Sequence, residues 1–253
     1  MNNELAIAVE AAKKAGAFLR EHFGQHLHVN EAAAHDIKLE LDVQTQALIE
    51  EVLMGAFPDY AFYGEEGISG NQDSDKQWIV DPIDGTVNYF YGIPHFCTSI
   101  ALRHGKDMVI GVIYDPMRDE LWTVQRGEKP QLNGKEIQVS TRTQLKDAIL
   151  CVGFAKTTAT INAGLPLLER MVHRARKCRM MGSAALDLAY ISCGRLDAYL
   201  EQGVSLWDIA AGVLMIEEGG GKVDISPRKD NPDKLAVTAW NGVMDLQLTE
   251  EKE

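Results

Sequence analysis

Long apolar runs, paired cysteines and an excess of positive charge are all missing from this 253-residue chain. No run of eighteen apolar residues occurs, so nothing in it reads as a membrane-spanning helix. The N-terminal stretch carries Glu4 and Glu10 inside its apolar pattern, which does not read as a secretory signal. Only four cysteines are present, Cys97, Cys151, Cys178 and Cys193, and none forms a C-x-x-C pair. Neither a zinc knuckle nor a thioredoxin-like motif fits that spacing. Reduced thiols and a cytoplasmic location are therefore expected. Lysine and arginine number 25 against 37 acids, a formal net charge of -12. So acidic a chain is a poor partner for nucleic acid or for an anionic membrane surface, and neither is expected. It is also an odd host for an anionic substrate, unless bound cations reverse the local sign. No G-x-S-x-G elbow, P-loop or H-E-x-x-H string is present. His22, His26, His28 and His35 crowd the N-terminal region, which hints at metal but reads as surface; His95, after Pro94, reads as structural.

What is present is ordinary globular material, 45% hydrophobic and 25% charged. The length suits one large unit, residues 1–253, with an N-terminal half to about 145 and a C-terminal half over about 146–253. Leu5, Val9, Ala12, Gly16 and Leu19 recur at helical spacing, and Gly24 closes that helix. The polar stretch His26 to Asp36 reads as a loop or hairpin. A second helix is expected from Asp42 to Ala56, with Val43, Ala47, Ile49, Val52 and Leu53 inward and Pro58 as its stop. Short strands follow at 61–63, 78–80, 98–103, 109–114 and 120–125, and Asn133-Gly134 signals a hairpin. Beyond a strand at 149–152, the second half alternates: helix 163–175, strand 177–180, helix 183–193, strand 197–200, helix 206–218, strand 222–224. This alternation predicts an α/β fold, a mixed or parallel sheet between layers of helices.

Three acidic segments each follow a strand or open a helix: Gly64-Glu65-Glu66, Asp81-Pro82-Ile83-Asp84-Gly85-Thr86-Val87-Asn88, and Trp207-Asp208-Ile209-Ala210-Ala211-Gly212. Asp81 leaves a buried strand, where an unpaired carboxylate is costly. Asp84 follows three residues later, so a tight turn at Pro82 can aim both carboxylates at one point. Hard oxygen ligands gathered there suit magnesium. Gly85 allows close backbone approach, and Gly85-Thr86 opens a helical turn whose N–H groups favour phosphate. Each piece has a plainer reading alone. Asp84-Gly85 is common turn chemistry, Ser205-x-x-Asp208 fits a capping box, and Glu65 and Glu66 fit a solvated loop.

The D-P-I-D-G-T-x-N string, preceded by G-E-E and followed by W-D-x-A-A-G, resembles the inositol monophosphatase family over nearly the whole chain. Gly182-Ser183-Ala184-Ala185 and Asp197-Ala198-Tyr199-Leu200-Glu201 match family segments between these motifs. The resemblance implies a layered αβαβα sandwich of mixed sheets and helices and a likeness to homodimers. It also implies a magnesium-dependent phosphomonoesterase with two or three Mg2+ per site. Glu65, Asp81, Asp84, Asp208 and the carbonyl of Ile83 would hold the metal. Gly85 and Thr86 would hold the phosphate, and Thr86 with Asp42 and Glu65 would set up the attacking water, with no phosphoenzyme. Gly182, Ser183, Ala184, Glu201 and Asp208 would touch the substrate. That substrate would be inositol 1-phosphate or a related polyol or sugar phosphate. Histidinol phosphate, fructose 1,6-bisphosphate and 3′-phosphoadenosine 5′-phosphate are alternatives, and a noncatalytic binding protein of the same fold is a rival of another class. Two positions depart from the family pattern. Glu31 stands where members often carry a Lys, and Lys38-Leu39-Glu40-Leu41 replaces the usual run before Asp42. His35 and Asp36 could assist there, though a solvated loop is the plainer reading.

Overall fold

The computed structural model describes residues 3–25, 29–33, 36–154 and 157–248. The chain opens with helix α1 (Asn3–His22), hairpin strands β1 (Val29–Ala33) and β2 (Asp36–Leu39), and helix α2 (Glu40–Ala56). Strands β3 (Ala61–Gly64), β4 (Gly67–Gly70) and β5 (Lys76–Asp84) lead into the short helix α3 (Thr86–Phe90). Then come β6 (Cys97–His104), β7 (Asp107–Asp115), β8 (Glu120–Gln125), β9 (Gln131–Leu132) and β10 (Lys135–Glu136). The remainder runs β11 (Ile149–Val152), α4 (Thr158–Arg174), β12 (Lys177–Arg179), α5 (Ala184–Ser192), β13 (Ala198–Val204), α6 (Leu206–Glu218), β14 (Lys222–Pro227) and β15 (Leu235–Trp240).

An eight-stranded sheet has the order β10-β9-β8-β7-β6-β5-β3-β4, and a five-stranded sheet the order β12-β11-β13-β15-β14. Both are mixed: β3 runs parallel to β5 and β11 parallel to β12 and β13, while β5–β6, β13–β15 and β14–β15 are antiparallel. Helices α1 and α2 pack on one face of the large sheet, α5 and α6 lie between the sheets, and α4 covers the far side of the small one. The layers are therefore α, β, α, β, α, as expected. Each interface has its own apolar core. Leu5, Ala8, Ala12, Ile49 and Leu53 meet Trp78 and Val80 on the outer side. Leu188, Ile209, Leu214 and Met215 fill the middle with Ile79, Trp122 and Tyr199. Leu150, Val152 and Leu200 meet Met171 beneath α4.

Several expectations need revision. The face that α2 buries is Leu41, Asp42, Thr45, Gln46, Ile49 and Leu53, and Val43 is exposed. That inward stripe is polar at one end because it serves neighbouring loops: Gln46 Oε1 accepts the Glu66 N–H at 2.9 Å. The 26–36 stretch contains hairpin strands, while His26, His28 and His35 lie outside the described residues. His22 Nδ1 sits 2.9 Å from the Phe18 carbonyl within α1. Helix α4 starts five residues earlier than expected, on a Thr157 cap that accepts the Thr160 N–H. Strand β15 was not anticipated, although it sits between β13 and β14. The four cysteines are free thiols.

Candidate active site

Strand β5 supplies the centre of the site. Trp78, Ile79 and Val80 are fully buried, and the strand continues through Asp81-Pro82-Ile83-Asp84 instead of ending at Asp81. On a regular strand, residues three apart point to opposite faces. Here the register against β6 shifts between Asp81 and Asp84, where Asp81 pairs with Ser99 and Asp84 with Cys97. That irregularity, and not a simple proline turn, brings both carboxylates to one cavity. Glu65 arrives from the β3 end, its N–H bonded to the Val80 carbonyl. Asp208 arrives from the first turn of α6, where its Oδ2 accepts the Ser205 N–H at 2.7 Å. Capping and a cavity-facing position thus coexist at Asp208.

Glu65, Asp81, Ile83, Asp84, Gly85, Thr86 and Asp208 all line one cavity of about 530 Å³. Glu66 does not line it. Asp42 approaches from α2, 2% exposed, and its Oδ1 lies 3.4 Å from Thr86 Oγ1. Thr86 Oγ1 also lies 2.9 Å from the Ile83 carbonyl. A hydroxyl has one proton, so these two acceptors compete for it, and the Ile83 contact is the shorter. Asp84 is held from the other side by α5. Ser183 Oγ donates to its Oδ2 at 2.5 Å, as does the Ala185 N–H at 2.6 Å, and the Ala184 N–H reaches Oδ1 at 3.3 Å. Gly182, Ser183 and Ala184 line the same cavity, and all three bond the acidic motif, Ser183 and Ala184 through Asp84 and Gly182 through Asn88. Gly85 has φ +96, and a Cβ there would stand 3.0 Å from the His95 carbonyl and 3.3 Å from that of Gly182. Glycine is required on both counts.

The electrostatics are those of crowded acids. Burial raises the Asp81 carboxyl well above its ordinary value, and Glu65, Asp84, Asp208 and Asp42 push it further. Burial raises Asp84 to about 6 against the opposing pull of its Ser183, Ala185 and Ala184 donors. His95 is buried and lowered to about 4, chiefly by desolvation, in keeping with a structural residue. No three His, Cys, Asp or Glu side chains among the described residues are grouped closely enough to hold an ion as they stand. The donor set nevertheless fits a hard divalent cation. It is all oxygen, it shares one cavity, and its mutual repulsion is relieved by positive charge.

Sequence reading placed Asn88 in the motif without a role and missed other parts of the cavity. Asn88 is a strut: its Nδ2 donates to the Met181 carbonyl at 2.8 Å and the His95 carbonyl at 2.9 Å, tying α3 to the segment before α5. Tyr199 and Asp187 line the cavity beside Glu201, and Arg228 and Lys234 line it from the β14–β15 connection. Lys234 Nζ donates to Ser205 Oγ at 2.5 Å and lies 5.8 Å from the Trp207 ring centroid. Tyr199 was within reach of the strand period, two residues before Glu201. The two cations were not, because only the pairing of β14 with β15 delivers them.

A layered α/β/α/β/α fold with an acid-lined cavity at the start of a short helix defines a class. The family model described as the inositol monophosphatase family matches residues 1–251, and the chain belongs to that family. It is 40% identical over 249 residues to the inositol-1-monophosphatase of Mesorhizobium japonicum, covering 96% of this chain and 94% of that protein. It is 41% identical over 246 residues to the Nus factor SuhB of Xylella fastidiosa, covering 93% and 89%. The crystal structure of the extragenic suppressor protein suhB from Bartonella henselae matches with a TM-score of 0.87 at 35% identity, covering 94% of this chain and 93% of that one.

Proposed function

We propose that this protein is a magnesium-dependent phosphomonoesterase acting on a small polyol or sugar phosphate such as inositol 1-phosphate. The observation that carries this reading is the meeting of Glu65, Asp81, Asp84 and Asp208 in one cavity with Thr86 and Glu201. Membership of the family supports phosphatase chemistry, and the family's metal dependence agrees with the oxygen donors. Glu65, Asp81, Asp84, Asp208 and the Ile83 carbonyl would hold two or three ions. When bound, magnesium supplies positive charge to the phosphate and acidifies water.

The chain's own groups do the rest. Gly85 and Thr86 seat the phosphate where the backbone of α3 begins. Thr86 Oγ1 and Asp42 orient the attacking water, and Asp42, within reach of that hydroxyl, receives the proton. This requires Thr86 to release the Ile83 carbonyl, which frees that oxygen for a cation. Glu201 accepts a hydrogen bond from a hydroxyl on the alcohol part of the substrate, and the departing oxygen takes its proton from solvent water. The rival, a noncatalytic protein of the same fold, draws support from the name Nus factor carried by several relatives. Retention of every acid in the site supports catalysis instead. A panel of phosphate esters assayed with and without magnesium tests the reading. Release of phosphate from a polyol ester only with magnesium is expected, and no release from any ester would overturn it.

A further inference from the structure

Glu201 does not stand alone in the cavity. Tyr199 lies two residues earlier on β13, on the same face, and both line the cavity. Tyr199 is 1% exposed, and its phenol donates to Glu201 Oε2. Burial and the neighbouring Glu201 and Asp187 keep that phenol protonated far above neutral pH, so it remains a donor. Asp187, which also lines the cavity, is buried and accepts from Cys151 Sγ at 2.9 Å. The adjoining chain leaves room for the pair through one glycine. Gly153, whose N–H bonds the Leu200 carbonyl at 2.9 Å, would carry a Cβ into collision with Glu201 Oε2 and within 2.8 Å of the Tyr199 hydroxyl.

We propose that Tyr199 is a positioning residue for substrate choice. It pins Glu201 by one oxygen, in the space Gly153 leaves, so that the carboxylate meets a hydroxyl next to the ester oxygen as a hydrogen-bond acceptor. The site then selects esters whose alcohol carries a neighbouring hydroxyl over esters that lack one. A charged acceptor fixed in place gains more from a donor than a mobile one, because its ordering is already complete. This inference rests on the phosphatase reading above and adds to it the chemistry of the leaving group.

The test compares the full chain with Tyr199→Phe and Gly153→Ala, all with magnesium, on inositol 1-phosphate and on 4-nitrophenyl phosphate, which has no hydroxyl. Folding is checked by circular dichroism. In Tyr199→Phe, kcat/KM for the polyol ester relative to the aryl ester should fall about tenfold, the scale of one hydrogen bond to a charged group. The fall should lie in KM more than in kcat. Gly153→Ala displaces the same carboxylate by another route and should give the same split, so it decides the matter if the phenylalanine variant does not fold. An unchanged ratio in a folded variant, or equal loss on both esters, overturns the proposal. A wild-type protein that hydrolyses only the aryl ester overturns it and leaves the phosphatase reading standing. One that hydrolyses neither of these, nor any other ester of the panel, overturns both.

Discussion

Asp81→Asn separates the cost of the acidic site from its use. Asp81 is 2% exposed and accepts the Ile83 N–H through Oδ1 at 3.0 Å. Asparagine keeps that acceptor and turns an amide toward the other acids in place of a charge. The folded carboxyl sits above its ordinary value because of burial and of Glu65, Asp84, Asp208 and Asp42. The folded state therefore holds the proton more tightly than the unfolded chain. Stability is unaffected below the unfolded value near 3.8, and it falls as pH rises from there through the folded value. Asp84, raised to about 6, gives the scale. About two units correspond to roughly 3 kcal/mol lost by the metal-free protein above that pH. Removing the charge at 81 should recover stability on the scale of an ordinary point substitution, about 1 kcal/mol or more, which is about 2–4 °C in Tm per kcal/mol for a chain of this size. Thermal melts in chelator at pH 4 and pH 8 measure it: the variant should gain little at pH 4 and melt higher than wild type at pH 8. Magnesium should raise the wild-type Tm at pH 8 and raise the variant's far less. Ester hydrolysis by the folded variant should fall at least about a hundredfold, in the range seen when charge stabilisation of a transition state is removed. A variant that melts lower than wild type at pH 8, or that hydrolyses ester at a near-normal rate, would refute the reasoning.

Thr86→Ala should lower kcat more than it changes KM, because the backbone that seats the phosphate is kept and only the hydroxyl that acts on the water is lost; steady-state kinetics with unchanged kcat would remove its role. Gly85→Ala should cost about 1–3 kcal/mol in the melt and most of the activity, since its backbone is left-handed at φ +96 and the His95 carbonyl would stand 3.0 Å from the new carbon. Gly212→Ala places a Cβ 2.5 Å from that of Leu188, between α5 and α6. Overpacking there should cost about 1–3 kcal/mol, visible as a lowered urea midpoint.

The octapeptide Asp81–Asn88 was legible because its parts are local: one strand end, one glycine, one helical turn. The layers were legible because apolar runs and helical spacing alternate along the second half. What the sequence hid was decided by partners far along the chain. The irregular pairing of β5 with β6 depends on where Ser99 and Cys97 fall opposite the acids; Pro82, which cannot donate to a ladder, hints at a break there but not at which partners flank it. Strand β15 follows an Asn-Pro-Asp-Lys stretch and alternates small residues with larger ones, a weak signal by itself. Its ladder with β13 joins residues 31 to 42 positions apart, beyond any local window, while that with β14 joins residues 8 to 18 apart. The α2 face was misjudged because apolar residues were assumed to point inward, and that face is partly given to Asp42 and Gln46.

The same division explains how so acidic a chain can receive an anion. Of the carboxylates that line the cavity, Asp81 and Asp84 are buried and Glu65 and Asp208 half-buried, and burial is what makes their repulsion expensive. In water, Glu65, Asp81, Asp84 and Asp208 would repel one another weakly and attract cations weakly. Enclosed between α2, β5 and α6, they carry a destabilisation that a divalent ion removes by binding only the folded form, and that linkage is also what gives the ion its hold. Stability without metal and affinity for metal are therefore opposed in this site. A substitution such as Asp81→Asn that improves the first must weaken the second, whatever it does to the rate.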